Sequence, residues 1–313
     1  MKVMITGGAG FIGSNIADRL AQEGHELIVL DDLSSGAREQ VPGGANFYQM
    51  ELDSRWIGRV VGREKPDAIC HLGAQISVRR SVEDPYFDAH VNIMGSLQLI
   101  EAARRQKVKR FLFASTGGAI YGDTDVMPTP ESHLAMPVSP YGTSKLSVEH
   151  YLHCFHSMYG LSYAALRLAN VYGPRQDPHG EAGVVAIFSR ALLSGKTPTI
   201  NGDGTQTRDY VYVGDVVDAF VAALGNDASG SFNVGTGVET DVNALYDLIA
   251  AAAGSSGPAA HGPAKPGEQR RSALDTTLIK ETIGWTPTTT LAEGIPQTVE
   301  FFRDKVTREA AAS

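Results

Sequence analysis

The chain has few cysteines, no excess of positive charge and no long apolar run. Its 313 residues include only Cys70 and Cys154, too few for a disulfide scaffold or a cysteine metal cluster. Lysine and arginine total 27 against 35 aspartate and glutamate, a formal charge of −8 that disfavours a nucleic-acid partner. The apolar run at residues 3–5 is far shorter than a signal peptide or a membrane span. We expect a soluble cytoplasmic protein without a nucleic-acid partner, a membrane partner or a metal.

Glycine, in contrast, is abundant, at 34 residues, and short apolar runs recur along the first half. The runs at 3–6, 26–30, 68–72, 110–114 and 163–168 alternate with helical patterns at 13–23, 87–105 and 143–159. Strands that alternate with helices are typical of a doubly wound parallel sheet. The sequence therefore predicts an α/β protein with a Rossmann sheet over residues 1–172. Gly- and Pro-rich loops surround fewer elements beyond residue 172, which predicts a smaller second region at 173–313.

A glycine-rich loop follows the first predicted strand and opens the first predicted helix. Residues 8–13 have the spacing G-x-G-x-x-G, and Gly7 precedes them. In this context the glycines let the backbone approach a pyrophosphate at the positive end of a helix. Asp31 ends the second strand, where a carboxylate can bind ribose hydroxyls. Because Asp31 and Asp32 would repel a 2′-phosphate, the pattern favours NAD over NADP.

A tyrosine and a lysine, Tyr141 and Lys145, stand four residues apart in the helical pattern that follows Pro140. This spacing is close to one helical turn, so the two side chains share a face. A phenol with an ordinary pKa of about 10 acts as a base near neutral pH only if its pKa falls by roughly 3. The Lys145 ammonium and a cationic nicotinamide ring would lower it together. An isolated pair of this kind more often packs without function, but the preceding dinucleotide loop favours catalysis.

These motifs together resemble the extended short-chain dehydrogenases/reductases, specifically their nucleotide-sugar 4-epimerase group. The resemblance covers essentially the whole chain and is carried by residues 6–13 (TGGAGFIG), 30–34 (LDDLS), 71–75 (HLGAQ), 114–116 (AST), 121–122 (YG), Tyr141 with Lys145, 170–175 (NVYGPR), 208–211 (RDYV) and 232–235 (FNVG). It implies a homodimer formed through the helices near 90–105 and 143–159. It also implies an interleaved C-terminal α/β substrate domain, with part of 209–235 returning to the Rossmann domain.

The resemblance also assigns roles to individual residues. It implies a catalytic triad of Thr116, Tyr141 and Lys145, with Ser115 as the alternative hydroxyl. Tyr141 would exchange the proton of the sugar's 4-hydroxyl, and Lys145 would hold the nicotinamide ribose. The NAD-binding residues that it implies are Gly7, Gly10, Phe11, Ile12, Gly13, Asp31, Asp32, Leu33, Ser35, Gly36, Glu51, Leu52, Leu72, Gly73, Ala74, Gln75, Asn92, Ser115, Tyr141 and Lys145. The substrate-binding residues that it implies are Thr116, Gly117, Tyr141, Asn170, Val184, Arg208, Lys265 and Glu268.

The segment Lys-Pro-Gly-Glu at 265–268 departs from the family's R-P-G-D at both charged positions. Lysine keeps the charge of arginine but loses its bidentate fork, so Arg270 or Arg271 is an alternative phosphate ligand.

The residues after Thr116 discriminate among reactions that begin with oxidation at C4 of the sugar. Dehydratases of the superfamily carry Asp-Glu directly after the Thr, and decarboxylases carry a Glu close after it. Here Gly117 and Gly118 follow, so neither reaction has its acid or base. The resemblance implies epimerisation of a UDP-hexose, UDP-glucose with UDP-galactose, through a 4-keto sugar that rotates before its reduction. The alternatives are epimerisation of UDP-N-acetylhexosamine or UDP-glucuronate, a nucleotide-sugar reductase, or a dinucleotide-binding protein without catalysis.

Two further residues bear on the choice of sugar. Relatives that accept UDP-glucuronate carry a second Arg where this chain has Asp177, so a neutral hexose is favoured. If the uronate were preferred, Arg175 would have to serve its carboxylate. Ser272 stands near a position where a bulky residue restricts some relatives to unsubstituted hexoses, and this small side chain favours an N-acetylhexosamine activity as a second one.

Overall fold

The structure, a computed structural model, describes residues 1–178, 183–264 and 269–312. The strands in this part of the chain are β1 (Lys2–Thr6), β2 (Glu26–Asp31), β3 (Asn46–Gln49), β4 (Ala68–His71), β5 (Arg110–Thr116), β6 (Tyr163–Leu168), β7 (Asn170–Tyr172), β8 (Thr199–Asn201), β9 (Thr207–Arg208), β10 (Tyr210–Tyr212), β11 (Gly230–Val234), β12 (Thr240–Asp241) and β13 (Ala260–Gly262). The α-helices are α1 (Phe11–Gln22), α2 (Ile57–Glu64), α3 (Val78–Glu83), α4 (Pro85–Ala89), α5 (Ser96–Arg105), α6 (Gly117–Ile120), α7 (Pro140–Tyr159), α8 (Val184–Leu193), α9 (Val213–Leu224), α10 (Val242–Ala253), α11 (Thr277–Ile283) and α12 (Leu291–Ala312). A 3-10 helix spans Arg38–Gln40, and a π-helix spans His90–Gly95.

Seven parallel strands form the main sheet in the order β11-β6-β5-β4-β1-β2-β3. The chain runs outward from β1 to β3 in one direction and from β4 to β6 in the other. The strand order therefore reverses between β1 and β4, and ligands of such sheets bind outside the carboxyl ends of the strands at this point. The predicted doubly wound Rossmann fold is confirmed.

Helices bury both faces of this sheet, which explains why its central strands are apolar along their whole length. On one face α1 and α9 pack with the sheet through residues such as Leu20 and Phe220. On the other face α2, α5 and α7 contribute Ile57, Leu99 and Val148. Each fully buried side chain of this size stabilises the fold by about 1.5–3 kcal/mol.

A separate core lies among α8, α10 and α12, where Val185, Phe188, Leu245, Ile249 and Val299 meet. The chain nevertheless returns to the main sheet after residue 172. Strand β11 pairs with β6 in the main sheet, while α11 and the following Trp285 pack into its core. The boundary at residue 172 itself stays a prediction.

Two elements differ from the sequence pattern. The predicted helix at 87–105 consists of α4, the π-helix and α5, so its hydrogen bonding changes register at Asn92. Strand β3 lacks a continuous apolar run because its outer residues are exposed at the edge of the sheet. Among the helices of the described residues, none has the length and apolar character to cross a membrane.

Candidate active site

The glycine loop between β1 and α1 is closely packed, backbone against backbone. Gly7 has φ +68°, and a Cβ there would lie 2.7 Å from the Gly73 nitrogen. A Cβ at Gly13 would lie 2.1 Å from the Gly7 oxygen, and one at Gly36 would lie 2.7 Å from the Ala9 backbone. At Gly10 the nearest atom would be 3.3 Å away, so this glycine is less constrained. The loop can therefore bring its backbone to a ligand where side chains would prevent the approach.

The first turn of α1 begins at Phe11 and Ile12, directly after this loop. Its N-cap, Gly10, provides no side-chain hydrogen bond to the helix. The first amide groups of α1 are therefore suited to bind an anion, which the positive end of the helix stabilises.

Asp31 lies beside the loop at the end of β2 and is only 8% exposed. One carboxylate oxygen accepts from the Ala9 nitrogen at 2.9 Å and the other from the Leu33 nitrogen at 2.8 Å. Burial raises the pKa of this carboxyl, and the two backbone donors oppose that shift. Each oxygen keeps a lone pair for a ribose hydroxyl. Together with the glycine cradle, this geometry fits NAD.

An open cleft of about 810 Å³ lies beyond Asp31, at the predicted adenine end. It is lined by Asp32, Gln49, Met50, Glu51, Asp53, Ser54, Arg55 and Trp56. Glu51 and Ser35 are exposed, whereas Leu52 is half-buried and lies 3.0 Å from the place of a Cβ on Gly73. Leu52 thus packs against the loop that follows β4.

That loop carries Leu72, Gly73, Ala74 and Gln75, and Asn92 of the π-helix fixes it. The Asn92 side chain accepts from the Gln75 nitrogen at 2.8 Å and donates to the Gln75 oxygen at 2.9 Å. Asn92 is buried, so this pair of bonds is shielded from water. The structure therefore brings both predicted segments together at the carboxyl end of β4.

Lys145 is buried in α7, and its Nζ donates to the Ala114 oxygen at 3.0 Å. The ammonium lies 4.8 Å from the ring centre of Phe113 and 5.8 Å from that of Tyr141. Burial lowers the pKa of Lys145 to about 8, while Asp88 and Glu149 oppose this shift. The pair thus shares one helix face, as its spacing requires.

Within the chain alone, the surroundings of Tyr141 raise the pKa of its phenol. Burial raises the pKa of Tyr141, and the negative charge of Asp88 raises it further. The predicted lowering of this pKa needs Lys145 and a bound cationic nicotinamide ring together, and it stays a prediction.

Thr116 and Ser115 are consecutive in β5, so their side chains face opposite sides of the sheet. The buried Ser115 hydroxyl donates to Glu149 at 2.5 Å, which engages it away from Tyr141. Thr116 is half-buried at the strand's carboxyl end. The geometry favours Thr116 over Ser115 as the hydroxyl beside the phenol.

Gly117 and Gly118 follow Thr116 and differ in what they face. A Cβ at Gly117 would lie 2.3 Å from Leu274, so packing against this buried leucine demands glycine. A Cβ at Gly118 would lie 3.8 Å from the Asn170 Oδ1. Gly118 therefore leaves open space beside Asn170, whereas the space beside Gly117 is filled by Leu274.

The predicted sugar-nucleotide residues lie on the second region and at its junction with the sheet. Asn170 is exposed at the start of β7, and Val184 begins α8. Arg208 lies in β9 and donates to the Thr207 oxygen at 2.7 Å. Lys265 and Glu268 lie outside the described residues.

The two arginines offered as replacements for Lys265 are both engaged. Arg271 pairs with Glu239 at 2.5 Å, and Arg270 donates to the Thr205 hydroxyl at 2.7 Å. Either arginine would have to exchange these partners to bind a phosphate.

The structure gives the surroundings of the three residues that bear on the choice of sugar, Asp177, Arg175 and Ser272. Asp177 is exposed, so water screens its charge and its repulsion of a uronate is weaker than for a buried pair. Arg175 donates through Nη2 to Asp18 of α1 at 2.5 Å. Ser272 is buried.

The chain is similar to known proteins over nearly its whole length. The profile of the NAD-dependent epimerase/dehydratase family matches residues 3–235. The chain is 49% identical over 311 residues to a UDP-glucose 4-epimerase of Mycolicibacterium smegmatis, covering 97% of this chain and 99% of the relative. It resembles the crystal structure of a Thermotoga maritima UDP-glucose 4-epimerase with UDP-glucose, with a TM-score of 0.96, 47% identity and coverage of 98% and 100%. A Thermus thermophilus UDP-glucose 4-epimerase in complex with NAD gives a TM-score of 0.92, 44% identity and coverage of 97% and 99%.

Proposed function

Since the chain belongs to the NAD-dependent epimerase/dehydratase family, we infer that it is an NAD-dependent isomerase that interconverts UDP-glucose and UDP-galactose at C4 of the hexose. The observation that carries this inference is that Thr116 ends β5, that Lys145 Nζ of α7 donates to Ala114 of the same strand, and that Gly117 and Gly118 follow Thr116 instead of an acid and a base. Epimerisation through a 4-keto sugar needs only the triad and a cofactor that stays in place.

The glycine loop, the first turn of α1 and Asp31 would hold NAD, with Asn92 fixing the loop beneath its nicotinamide end. When bound, NAD supplies the acceptor and donor of the hydride of C4. The Tyr141 oxygen takes the proton of the 4-hydroxyl and later returns it, while Thr116 orients the 4-oxygen by a hydrogen bond. Lys145 holds a ribose hydroxyl and places a positive charge beside the phenolate. Because burial raises the pKa of Tyr141, this charge is required for proton removal near neutral pH.

We propose that the rest of the substrate is held by Asn170, at the junction of the two regions, and by the second region. Asn170 Oδ1 lies 3.8 Å from the place of a Cβ on Gly118, two residues after Thr116. Val184 at the start of α8 would line the site, and Arg208 of β9 would supply the positive charge. Lys265 and Glu268 are proposed to contact the phosphate and the uridine ribose. In this division residues 1–172, with part of 209–235, bind the cofactor, and 173–313 bind the sugar nucleotide.

We also propose a homodimer formed through α5, the π-helix and α7. Large apolar side chains on these helices and beside them are exposed, including Tyr86 (88%), Met94 (50%), Met158 (63%) and Tyr159 (51%). Large exposed apolar side chains on neighbouring helices support an interaction surface. The two free thiols, Cys70 and Cys154, fit the proposed cytoplasmic location.

The function is tested by incubating the purified protein with UDP-galactose and no added cofactor. We expect UDP-glucose to form until equilibrium, with kcat/KM highest for UDP-galactose, lower for UDP-N-acetylglucosamine and lowest for UDP-glucuronate. The reason is that a uronate carboxylate would meet Asp177 instead of a second arginine, and that Arg175 is paired with Asp18. Highest kcat/KM for UDP-glucuronate would show that the choice of sugar is wrong, and absence of any conversion would refute the epimerase itself.

Asp31→Ala should relax the choice between NAD and NADP. The variant loses both the acceptor for ribose hydroxyls and the charge that repels a 2′-phosphate, so the preference for NAD should fall at least about tenfold, or 1.4 kcal/mol. The measurement is the ratio of the two dissociation constants by calorimetry. Asp247→Ala is the matched control: this carboxylate is exposed on α10 of the second region, so its removal should change the ratio less than about threefold. Equal effects of the two variants would contradict the role of Asp31.

A further inference from the structure

Asp88 is a fully buried carboxylate, and none of the catalytic or binding roles described above includes it. It lies in α4, and its two oxygens accept three side-chain hydrogen bonds. One oxygen accepts from Gln75 Nε2 and Asn92 Nδ2, both at 2.9 Å. The other accepts from the Ser144 hydroxyl at 2.6 Å.

These three donors come from three separate segments of the site. Gln75 lies in the loop after β4, Asn92 in the π-helix, and Ser144 in the first turns of α7. Ser144 directly precedes Lys145 and stands three residues after Tyr141, so fixing its side chain fixes the helical turn that carries both. A buried carboxylate with three donors holds its partners firmly, because each donor would otherwise lose its hydrogen bond away from water.

We propose that Asp88 is a positioning residue for the epimerisation, which ties the Tyr141 and Lys145 turn of α7 to the Gln75 and Asn92 side of the cofactor site. The proposal rests on the proposed function. Through Ser144, Asp88 sets the position of the phenol oxygen. Through Asn92, Asp88 sets the position of the loop on which the cofactor would lie.

The charge of Asp88 gives the same residue a second effect. Asp88 from α4 acts on both Tyr141 and Lys145, and Glu149 from α7 acts on Lys145. Behind Glu149 stands Arg167 of β6, at 2.8 Å. His71 of β4 is buried with a pKa lowered to about 3, so it contributes no charge. Asp88 raises the pKa of both Tyr141 and Lys145, and its neutralisation should therefore lower both.

Asp88→Asn tests this proposal because it keeps the shape and one acceptor while it removes the charge. We expect the acid limb and the alkaline limb of the kcat profile both to move to lower pH, on the order of one pH unit. The fall in kcat should be about tenfold or more, with little change in KM. A purely structural role would lower the amount of folded protein without moving the two limbs together.

A second readout does not depend on turnover. In protein labelled with 13C at lysine Cε, the Lys145 resonance, assigned by its loss in Lys145→Met, should titrate at lower pH in Asp88→Asn than in the wild type. Unchanged titration and an unchanged pH profile would overturn the proposal. If the wild type itself converts no UDP-sugar, the proposed function fails, and the lysine titration still decides the role of Asp88.

Ser144→Ala separates position from charge. It removes one hydrogen bond and leaves the carboxylate, so kcat should fall severalfold while the Lys145 titration stays in place. This variant also serves if Asp88→Asn does not fold, which circular dichroism would reveal. Unchanged kcat in Ser144→Ala would contradict the positioning role.

Discussion

Tyr141→Phe lowers kcat for UDP-galactose by about a thousandfold or more, while the fold and the bound NAD are retained. The substitution removes only the oxygen that exchanges the proton of the 4-hydroxyl, and a positioned acid or base contributes about 10²–10⁴-fold to such steps. The ring itself stays, so its contact with Lys145 at 5.8 Å and the packing of α7 are preserved. The measurements are kcat for the purified variant, its melting temperature and its NAD content after denaturation.

Tyr151→Phe is the matched control for this experiment. Tyr151 lies on the same helix, but 40% of its surface is exposed and the phenol has no part in the proposed chemistry. Removal of this phenol oxygen should leave kcat within about twofold of the wild-type value. Retention of turnover within tenfold in Tyr141→Phe would refute the assignment of the base. An equal loss in both variants would point to damage of the helix instead.

The elements that the sequence predicts correctly are those whose physics is local. The glycine loop, Asp31 and the spacing of Tyr141 and Lys145 are short motifs in which neighbouring residues fix the geometry. The alternation of apolar strands and helices predicts the doubly wound sheet for the same reason, since each parallel strand carries its own apolar signal.

What the sequence could not supply depends on contacts between distant segments. Position 117 requires glycine because Leu274 packs against it, and Arg175 is paired because Asp18 lies beside it. Neither partner can be identified from the residues next to Gly117 or Arg175 in the sequence. The desolvation that raises the pKa of the Tyr141 phenol is likewise a property of the folded surroundings. Asp88 gave one weak signal, a carboxylate four residues before Asn92 in an otherwise apolar helical pattern, but its bond to Ser144 required the packing of α4 on α7.

Gly13→Ala should abolish the retention of NAD, although it adds only one methyl group. The new Cβ would lie 2.1 Å from the Gly7 oxygen and 2.9 Å from the Gly8 Cα, both backbone atoms that cannot rotate away. Relief of this overlap must move the loop or the first turn of α1, at a cost of about 1–3 kcal/mol in stability. If the movement misaligns two backbone donors to the pyrophosphate, each worth about 1.5–3 kcal/mol, NAD affinity falls by at least about a hundredfold. The measurements are the free energy of unfolding in urea and the NAD dissociation constant.

Gly58→Ala provides the control, because it places the same methyl group in another helix. Gly58 lies in α2, and a Cβ there would meet no atom within 4 Å, so alanine should stabilise the protein by up to about 1 kcal/mol through its better helix propensity. NAD affinity should not change, since α2 contributes no residue to the cradle. If Gly13→Ala bound NAD as tightly as Gly58→Ala does, the closeness of the Gly7 carbonyl to α1 would not matter for the cofactor, and the glycine would serve the fold alone. A loss of NAD affinity in Gly13→Ala at unchanged stability would instead show that the methyl group acts only on the glycine loop. The helix would then have accommodated the methyl group, and only the backbone donors to the pyrophosphate would have moved.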